Sequence, residues 1–207
     1  VDHRSILEQL PSGGFITISN HPYGALDGII LIDLIASIRP DYRVMVNKIL
    51  ANVVSMSDHF IGVVPPSGNT PIDRRSMSGL KAAMRHIREG HPLGFFPSGA
   101  VARYDWRLRV REQSWQSSVI RLIQQIKAPV VPIYFHGHNS ALYNSIGLIS
   151  WRLRSLRLPK EIFNKKNRTI RVSVGDIILP DELEKFARVE DLTCFLKMRT
   201  LEVGQKK

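Results

Sequence analysis

The chain has 207 residues and a mass of 23.5 kDa, which is enough for one sizeable core and short for two, so we expect a single domain over residues 1–207. A composition of 43% hydrophobic and 23% charged residues excludes a disordered or collagen-like chain, and the single Cys194 excludes an internal disulfide framework and a Cys-based zinc cluster. The net charge is +11, and residues 101–207 hold most of it, with 20 basic and 10 acidic side chains. A negatively charged partner is therefore expected at the C-terminal half.

No stretch reaches the roughly 18 consecutive apolar residues that a membrane-spanning helix needs. The best run, from Gly28 to Ile38, is shorter and contains Asp33. The chain begins at Val1, and the residues that follow do not resemble a secretory signal. We expect a fragment or a processed chain whose upstream segment could be missing.

Short apolar, β-branched runs alternate with runs of helical period, which is typical of an α/β domain. Most predicted strands lack polar alternation, as expected where both strand faces are buried. The fold class expected is a single α/β domain with a mixed, largely parallel central sheet flanked by helices. The predicted strands are Phe15–Ser19, Val44–Asn47, Phe60–Val64, Leu93–Phe96, Val130–Phe135 and Thr169–Val174. The predicted helices are Leu26–Ile38, Ser78–Glu89, Trp115–Lys127 and Asp191–Val203.

The segment from Ser19 to Gly28 follows the first predicted strand and precedes the first helix. Ligands usually bind in such loops, at the carboxyl ends of strands in α/β domains. His21 is suited to accept a proton near neutral pH. If the intervening residues form a tight turn, Asp27 accepts a hydrogen bond from one imidazole nitrogen, which fixes the tautomer and stabilises the imidazolium. The alternative is that His21 ends the strand and Asp27 caps the helix.

Two adjacent arginines, Arg74 and Arg75, precede the second predicted helix. A guanidinium binds a phosphate or carboxylate through two parallel hydrogen bonds, which makes this segment a candidate anion site. The alternative is a solvated helix start.

The fourth predicted strand ends at a turn, Pro97-Ser98-Gly99, whose backbone amides could hold an oxyanion or a phosphate. Ser98 does not fit a serine-hydrolase nucleophile, because Phe96 and Ala100 occupy the positions where that turn needs glycine.

The fifth predicted strand contains Pro132, which donates no backbone hydrogen bond, so we expect an edge or strand-end position there. His136 and His138 follow it, but no third ligand has a suitable spacing, and we expect no metal.

The segment from Arg152 to Arg171 carries eight basic residues and one acid, Glu161. Leucines, isoleucines and Trp151 lie within or beside it, a mixture that suits the headgroup layer of an anionic membrane. The alternative is a core helix with a solvated basic face.

In this order, four of these segments resemble the signature blocks of the glycerolipid acyltransferase superfamily, the lysophosphatidate and glycerol-3-phosphate acyltransferase type. The family blocks are Asn-His-x4-Asp, an Ile-Asp-Arg type block, Phe-Pro-Glu-Gly, and an apolar block around Val-Pro-Ile. The corresponding residues are Asn20-His21…Asp27, Ile72-Asp73-Arg74, Phe96-Pro97-Ser98-Gly99 and Val131-Pro132-Ile133. The likeness is greatest to the haemolysin-like bacterial branch, with Asn-His-Pro-x-Gly-x-x-Asp-Gly and Phe-Pro-Ser/Ala-Gly. Members of that branch are linked to acylation of amino-acid lipids such as ornithine or glycine lipids.

The resemblance implies an acyltransferase-like fold and a peripheral enzyme at the cytoplasmic face of the inner membrane. It implies transfer of a fatty acyl group from an acyl carrier protein or CoA thioester to the hydroxyl of a lyso-lipid, with no further cofactor. His21 would be the general base, Asp27 would orient it, and Arg74 would contact the acceptor headgroup. The other residues implied at the substrate are Asn20, Phe96, Pro97, Ser98, Gly99, Arg103 and Pro132.

Three departures from the family pattern bear on the acceptor. Five residues rather than four separate His21 from Asp27, so the turn must absorb one more. Ser98 stands where the family usually has Glu, and Val101 stands where it has Arg, with Arg103 two residues further on. Because those charges serve a glycerol-phosphate acceptor in the family, a lyso-aminolipid is favoured over lysophosphatidate. The alternatives are a catalytically degenerate lipid-binding protein and a basic nucleic-acid binder, and no nucleic-acid-binding motif supports the second.

Overall fold

The computed structural model describes residues 4–47, 54–63 and 74–206, in which six strands form one sheet. These strands are β1 (Ile16–Ser19), β2 (Arg43–Asn47), β3 (Phe60–Val63), β4 (Leu93–Phe95), β7 (Val130–Phe135) and β8 (Val172–Val174). Their order is β3-β2-β4-β1-β7-β8. All neighbours are parallel except β8, which runs antiparallel to β7. The expected mixed, largely parallel sheet is therefore confirmed.

Helices cover both faces of the sheet. The helices are α1 (Ala25–Ala36), α2 (Arg74–Arg88), α3 (Ser117–Ile126), α4 (Ala141–Ile149), α5 (Trp151–Phe163), α6 (Pro180–Glu184) and α7 (Val189–Gln205), with 3₁₀ turns at Arg4–Gln9 and Val54–His59. Helix α1 packs on one face, while α2, α3 and α7 pack on the other. The sheet thus has a hydrophobic core on each face, and strand β7 contributes to both. Val130 packs in the core beneath α2, α3 and α7, and Val131 packs in the core beneath α1. No helix in the described ranges is long and apolar enough to cross a bilayer.

The predicted strands and helices correspond to observed elements, with ends that differ by up to four residues. The largest change is in α2, which begins at Arg74 rather than Ser78. The sequence analysis did not predict α4 and gave a helix in the basic segment only as the alternative, which α5 now bears out. It also missed α6 and a short hairpin, β5 (Arg103–Tyr104) with β6 (Val110–Arg111).

The expected edge position of Pro132 is wrong, because β7 lies between β1 and β8. The carbonyls of Val130 and Pro132 both accept hydrogen bonds from the β8 side, from Ile178 and Gly175. The Pro132 nitrogen, which carries no hydrogen, therefore faces β8. It lies between the isolated Val130–Ile178 bridge and the regular ladder that starts at Ile133. An interior strand tolerates proline here because this side of the ladder is interrupted.

The carboxyl ends of β1 and β4 lie side by side, which brings two of the predicted segments together. Ile18 is in register with Phe95, so the chain leaves both strands at the same edge of the sheet. His21 follows β1, and Phe96 follows β4. This edge is where a ligand is expected in an open α/β sheet.

Candidate active site

His21 and Asp27 are in contact, as predicted from their spacing. The imidazole Nδ1 lies 3.0 Å from the carboxylate Oδ2 of Asp27. The Asp27 side chain is completely buried, whereas 16% of the His21 side chain is exposed. Asp27 is therefore fixed inside the protein, whereas His21 is accessible to a ligand.

The backbone at the start of α1 holds the Asp27 carboxylate. Oδ2 accepts hydrogen bonds from the backbone N–H groups of Tyr23 (2.8 Å) and Gly24 (3.0 Å). Gly24 has φ 83, a conformation that glycine adopts without strain, and the contact between His21 and Asp27 is made despite the five-residue spacing. The N-terminus of a helix also favours a negative charge at this position.

These hydrogen bonds determine which imidazole nitrogen carries the proton. Oδ2 already accepts from two backbone N–H groups, so its contact with His21 is best satisfied by a donor on Nδ1. In the neutral imidazole this arrangement puts the proton on Nδ1 and leaves the lone pair on Nε2. Burial raises the pKa of the Asp27 carboxyl, and the hydrogen bonds from His21, Tyr23 and Gly24 oppose that shift.

Phe96 fixes the other side of the imidazole. Its ring is stacked on His21 with a centroid separation of 4.3 Å and an interplanar angle of 29°. Asp27 and Phe96 together leave His21 little freedom to rotate. Such fixed geometry is what a general base needs.

The turn that follows Phe96 is held by Gln116. Gly99 has φ 62, and its N–H bonds to the carbonyl of Phe96 (2.8 Å). The Gln116 backbone N–H bonds to the carbonyl of Pro97, and its side-chain amide donates to the carbonyl of Ser98 (3.2 Å). This network makes the turn part of the framework around His21.

Glu112 is a site residue that the sequence analysis missed. Its Oε2 accepts a hydrogen bond from the backbone N–H of His21 (3.0 Å), while Oε1 is buried without a hydrogen-bond partner. Burial raises the pKa of this carboxyl, and the hydrogen bond from the His21 backbone is the main effect that opposes the shift. The only sequence signal is that Glu112 is the sole acid between Asp105 and Glu161.

His21 lines a cavity of about 650 Å³. One end is apolar and lies between β2, β3, α2 and α3, lined by Met45, Phe60, Val63, Leu80, Val119 and Leu122. The other end lies under α5, which contributes Trp151, Arg154, Ser155 and Leu158. A ligand with a long apolar part and a polar head fits this division.

Helix α5 covers the cavity with one face and presents apolar side chains on the other. Leu153, Leu156 and Phe163 lie on that outer face, and Leu156 is 79% exposed. Ile149, at the end of α4, is 85% exposed beside them. These four residues form an unusual apolar surface, which we call the outer face of α5.

Buried Glu161 fastens α5 to the rest of the site. Its carboxylate accepts hydrogen bonds from the backbone N–H (2.9 Å) and the hydroxyl (2.7 Å) of Ser140. Burial alone would raise the pKa of this carboxyl, but the hydrogen bonds from Ser140 and Asn164 and the charge of Lys165 together lower it. Arg157 and Lys165 each lie 4.0 Å from the same carboxylate, so part of the basic segment is used within the fold.

The other predicted substrate residues fall into three groups. Phe96, Gly99 and Arg103 line the cavity with His21. Ile72 and Asp73 lie outside the described residues, and of Arg74 the structure describes only the backbone, at the first residue of α2. The remaining four belong to the framework behind the cavity wall: Asn20, Pro97, Ser98 and Pro132.

Asn20 and Ser98 illustrate the framework group. The Asn20 amide donates to the carbonyl of Phe135 (2.9 Å) and accepts from its N–H (2.7 Å), which extends the pairing of β1 with β7. The Ser98 side chain is buried, and its hydroxyl donates to the carbonyl of Ala100. Both residues shape the loops that carry His21 and Phe96.

Within the described ranges, no three His, Cys, Asp or Glu side chains are grouped as a metal site would require. The chemistry that this arrangement supports is proton transfer by a fixed imidazole next to an apolar cavity.

Comparison with known proteins gives a family, two curated relatives and a solved structure. Residues 3–204 match the sequence profile of a family described as "Acyltransferase". A lyso-glycine lipid O-acyltransferase of Bacteroides thetaiotaomicron is 26% identical over 178 residues, covering 82% of this chain and 62% of the relative. Another, from Phocaeicola vulgatus, is 24% identical over 177 residues, covering 82% of this chain and 61% of the relative. The chain therefore spans about three fifths of the length of these curated relatives.

The solved structure is a 1-acyl-sn-glycerophosphate (LPA) acyltransferase, PlsC, from Thermotoga maritima. It resembles this protein with a TM-score of 0.59 and 14% identity, over 95% of this chain and 67% of that chain. This likeness confirms the expected fold.

Proposed function

Because the chain belongs to this acyltransferase family, we propose that it transfers a fatty acyl group from a thioester to the hydroxyl of a lyso-lipid. The observation that carries the proposal is the His21–Asp27 pair, which opens on a cavity with a long apolar end. The thioester is an acyl carrier protein or CoA thioester, and no other cofactor is required.

The proposed reaction uses His21 as a general base. Nε2 accepts the proton of the acceptor hydroxyl while the hydroxyl oxygen attacks the thioester carbonyl carbon. The new C–O bond forms, the C–S bond breaks, and the imidazolium returns its proton to the departing thiolate. Asp27 stabilises the imidazolium in between, and no covalent enzyme intermediate is needed.

The apolar end of the cavity is the proposed site of the acyl chain. The cavity volume falls within the range of about 300–1,000 Å³ that is usual for sites of small ligands. Burial of each methylene contributes about 0.8 kcal/mol, so chain length affects binding strongly. Leu80 and Leu122 lie on facing helices across this end, and larger or smaller side chains there would change the preferred chain length.

We further propose that the protein works as a peripheral enzyme on an anionic membrane, at the cytoplasmic face of the inner membrane. The support is the outer face of α5 together with the exposed cations beside it, such as Arg152 and Lys160. Each basic residue near an anionic surface contributes about 1 kcal/mol. The cavity lies directly beneath this surface, so a lyso-lipid would reach His21 without leaving the interface.

A lyso-aminolipid is the proposed acceptor in preference to lysophosphatidate. The support is the loss of two charges at Ser98 and Val101 and the names of the two curated relatives, which are lyso-glycine lipid O-acyltransferases.

The test is thiol release from acyl carrier protein and CoA thioesters on anionic vesicles, with a panel of acceptors: lyso-glycine lipid, lyso-ornithine lipid, lysophosphatidate and glycerol-3-phosphate. The decisive variant is His21→Ala, with His138→Ala as the matched control, because His138 is an exposed imidazole outside the cavity lining. We expect acceptor-dependent release that only His21→Ala abolishes. Near-normal turnover in His21→Ala would refute the mechanism, and no release with any acceptor would refute the activity of this chain.

A further inference from the structure

The two charged side chains that line the cavity are both arginines. Arg103 and Arg154 are among the described lining residues, and none of those residues is Asp or Glu. A cavity with this lining favours a ligand that carries a negative charge next to its apolar part.

Arg154 is the better placed of the two arginines. Arg103 is an exposed residue of the short hairpin, whereas Arg154 is half-buried on the inner face of α5. The cavity-lining residues of α5 follow one another at spacings of three or four and so share one face of the helix, whereas the exposed Lys160 lies outside that row. Trp151, Ser155 and Leu158 share the inner face with Arg154.

The guanidinium of Arg154 is held in one orientation. It lies 5.1 Å from the centroid of the Tyr143 ring, and Nη2 donates to the carbonyl of Val101 (3.1 Å). It makes no ion pair with any acid in the described ranges. A guanidinium has five N–H donors in a fixed fork, so this one hydrogen bond leaves donors for a ligand.

We propose that Arg154 binds the anionic headgroup of the acceptor, a carboxylate or a phosphate, while the acceptor hydroxyl lies at His21. The proposal rests on the proposed function, and it names a residue outside all four sequence blocks. Arg154 also bonds to Val101, next to the turn that follows Phe96, so headgroup binding and the position of that turn are linked. Arg154 is thus a specificity-determining residue for the acceptor.

The first experiment measures binding without turnover, in the His21→Ala background. The probes are N-octanoylglycine, its uncharged methyl ester, octyl phosphate and inorganic phosphate. Isothermal titration calorimetry reports the binding, so the readout does not depend on a side chain beside the variants. The variants are Arg154→Met and Arg154→Lys, with Lys160→Met as the control that removes a positive charge from the exposed side of the same helix.

We expect Arg154→Met to weaken binding of the charged amphiphiles about tenfold or more and to leave the methyl ester unchanged. Arg154→Lys should retain part of the preference, because lysine keeps the charge without the fork. Lys160→Met should change neither. Unchanged binding of the ester is the evidence that the cavity of Arg154→Met is intact.

Three results would overturn the proposal. Equal weakening of acid and ester in both Arg154 variants would mean that Arg154 only shapes the cavity. Equal effects of Arg154→Met and Lys160→Met would mean a general charge effect. Competition by inorganic phosphate as strong as that by octyl phosphate would mean a site for free anions rather than a lipid headgroup. Because binding is measured in a variant without the base, the proposal can succeed or fail separately from the acyltransfer activity.

In the enzyme that retains His21, a substitution of Arg154 should change KM much more than kcat. Arg154→Met should raise KM for lyso-glycine lipid and leave kcat nearly unchanged, since the headgroup is bound equally in the ground and transition states. A loss confined to kcat would assign Arg154 to the reacting atoms and contradict the headgroup role.

Discussion

Asp27→Asn tests whether the charge of the buried carboxylate or only its shape supports the reaction. Two backbone N–H groups, from Tyr23 and Gly24, point at the position of Oδ2. They require an acceptor there, so the asparagine oxygen should occupy that position and its amino group the buried position of Oδ1. The Nδ1–H of His21 then keeps its acceptor, and the tautomer with a free Nε2 is retained.

The expected loss therefore comes from the missing charge, with a smaller cost for burying the asparagine amino group where Oδ1 has no hydrogen-bond partner. The His21 and Asp27 atoms are 3.0 Å apart, and the centres of the two charges are somewhat further apart. Unit charges about 4 Å apart attract by about 4 kcal/mol at an effective dielectric constant near 20. The imidazolium is only partly formed in the transition state, so we expect kcat to fall about 10²- to 10³-fold. Asp27→Ala removes the acceptor as well and should be at least about tenfold worse.

The assay is single-turnover thiol release at saturating acceptor, with His21→Ala as the reference for complete loss. Asp33→Asn is the matched control, because Asp33 is exposed on the same helix. If Asp27→Asn is as inactive as His21→Ala, the backbone amides do not hold the tautomer. If it keeps more than about a tenth of the wild-type rate, the charge is not needed.

Three other changes test the framework and the outer surface. Gly99→Ala places a side chain at φ 62 and against Gln116, so it should lower the free energy of unfolding by about 1–2 kcal/mol, as measured by thermal denaturation. Gly13→Ala is the control and should be neutral, because the space around Gly13 is open. Burial raises the pKa of the Glu112 carboxyl, so the folded state binds the carboxyl proton more tightly than the unfolded state and loses stability as the pH rises above the ordinary pKa of glutamate. Glu112→Gln should therefore raise Tm near pH 7 but not near pH 4. An equal gain in Tm at both pH values would contradict this. Leu156→Glu on the outer face of α5 should weaken sedimentation with anionic vesicles without lowering Tm. Leu201→Glu on α7 is the control and should leave sedimentation unchanged. Equal weakening by both variants would argue against a membrane surface at α5.

The sequence was most informative where function depends on short segments. The four blocks correctly indicated the family, and the matches to an acyltransferase profile and to lyso-glycine lipid O-acyltransferases confirm the resemblance. The contact between His21 and Asp27 could be predicted because it is made within one turn, at the end of a recognisable strand. The roles of these residues stay predictions.

What the sequence did not reveal depends on distant contacts. Glu112 reaches the backbone of His21 from 91 positions away, and a bond to a backbone amide leaves no residue pattern. Pro132 looked like an edge residue because the interruption of its ladder is caused by β8, some 40 residues later. Arg154 was counted with the membrane-facing cations, because only the packing of α5 separates its inner face from its outer face.

The His21–Asp27 pair lies within seven consecutive residues, and the cavity beside it is built from elements far away in the chain. The turn that holds Asp27 uses only its own backbone, at Tyr23 and Gly24. Substitutions on α2, α3 or α5 can therefore reshape the space for the ligand while the base and its partner stay in place. In evolutionary terms, the reaction and the choice of substrate are separable in this fold: a lineage can change which molecules it accepts by altering the walls and keep one conserved turn for the chemistry.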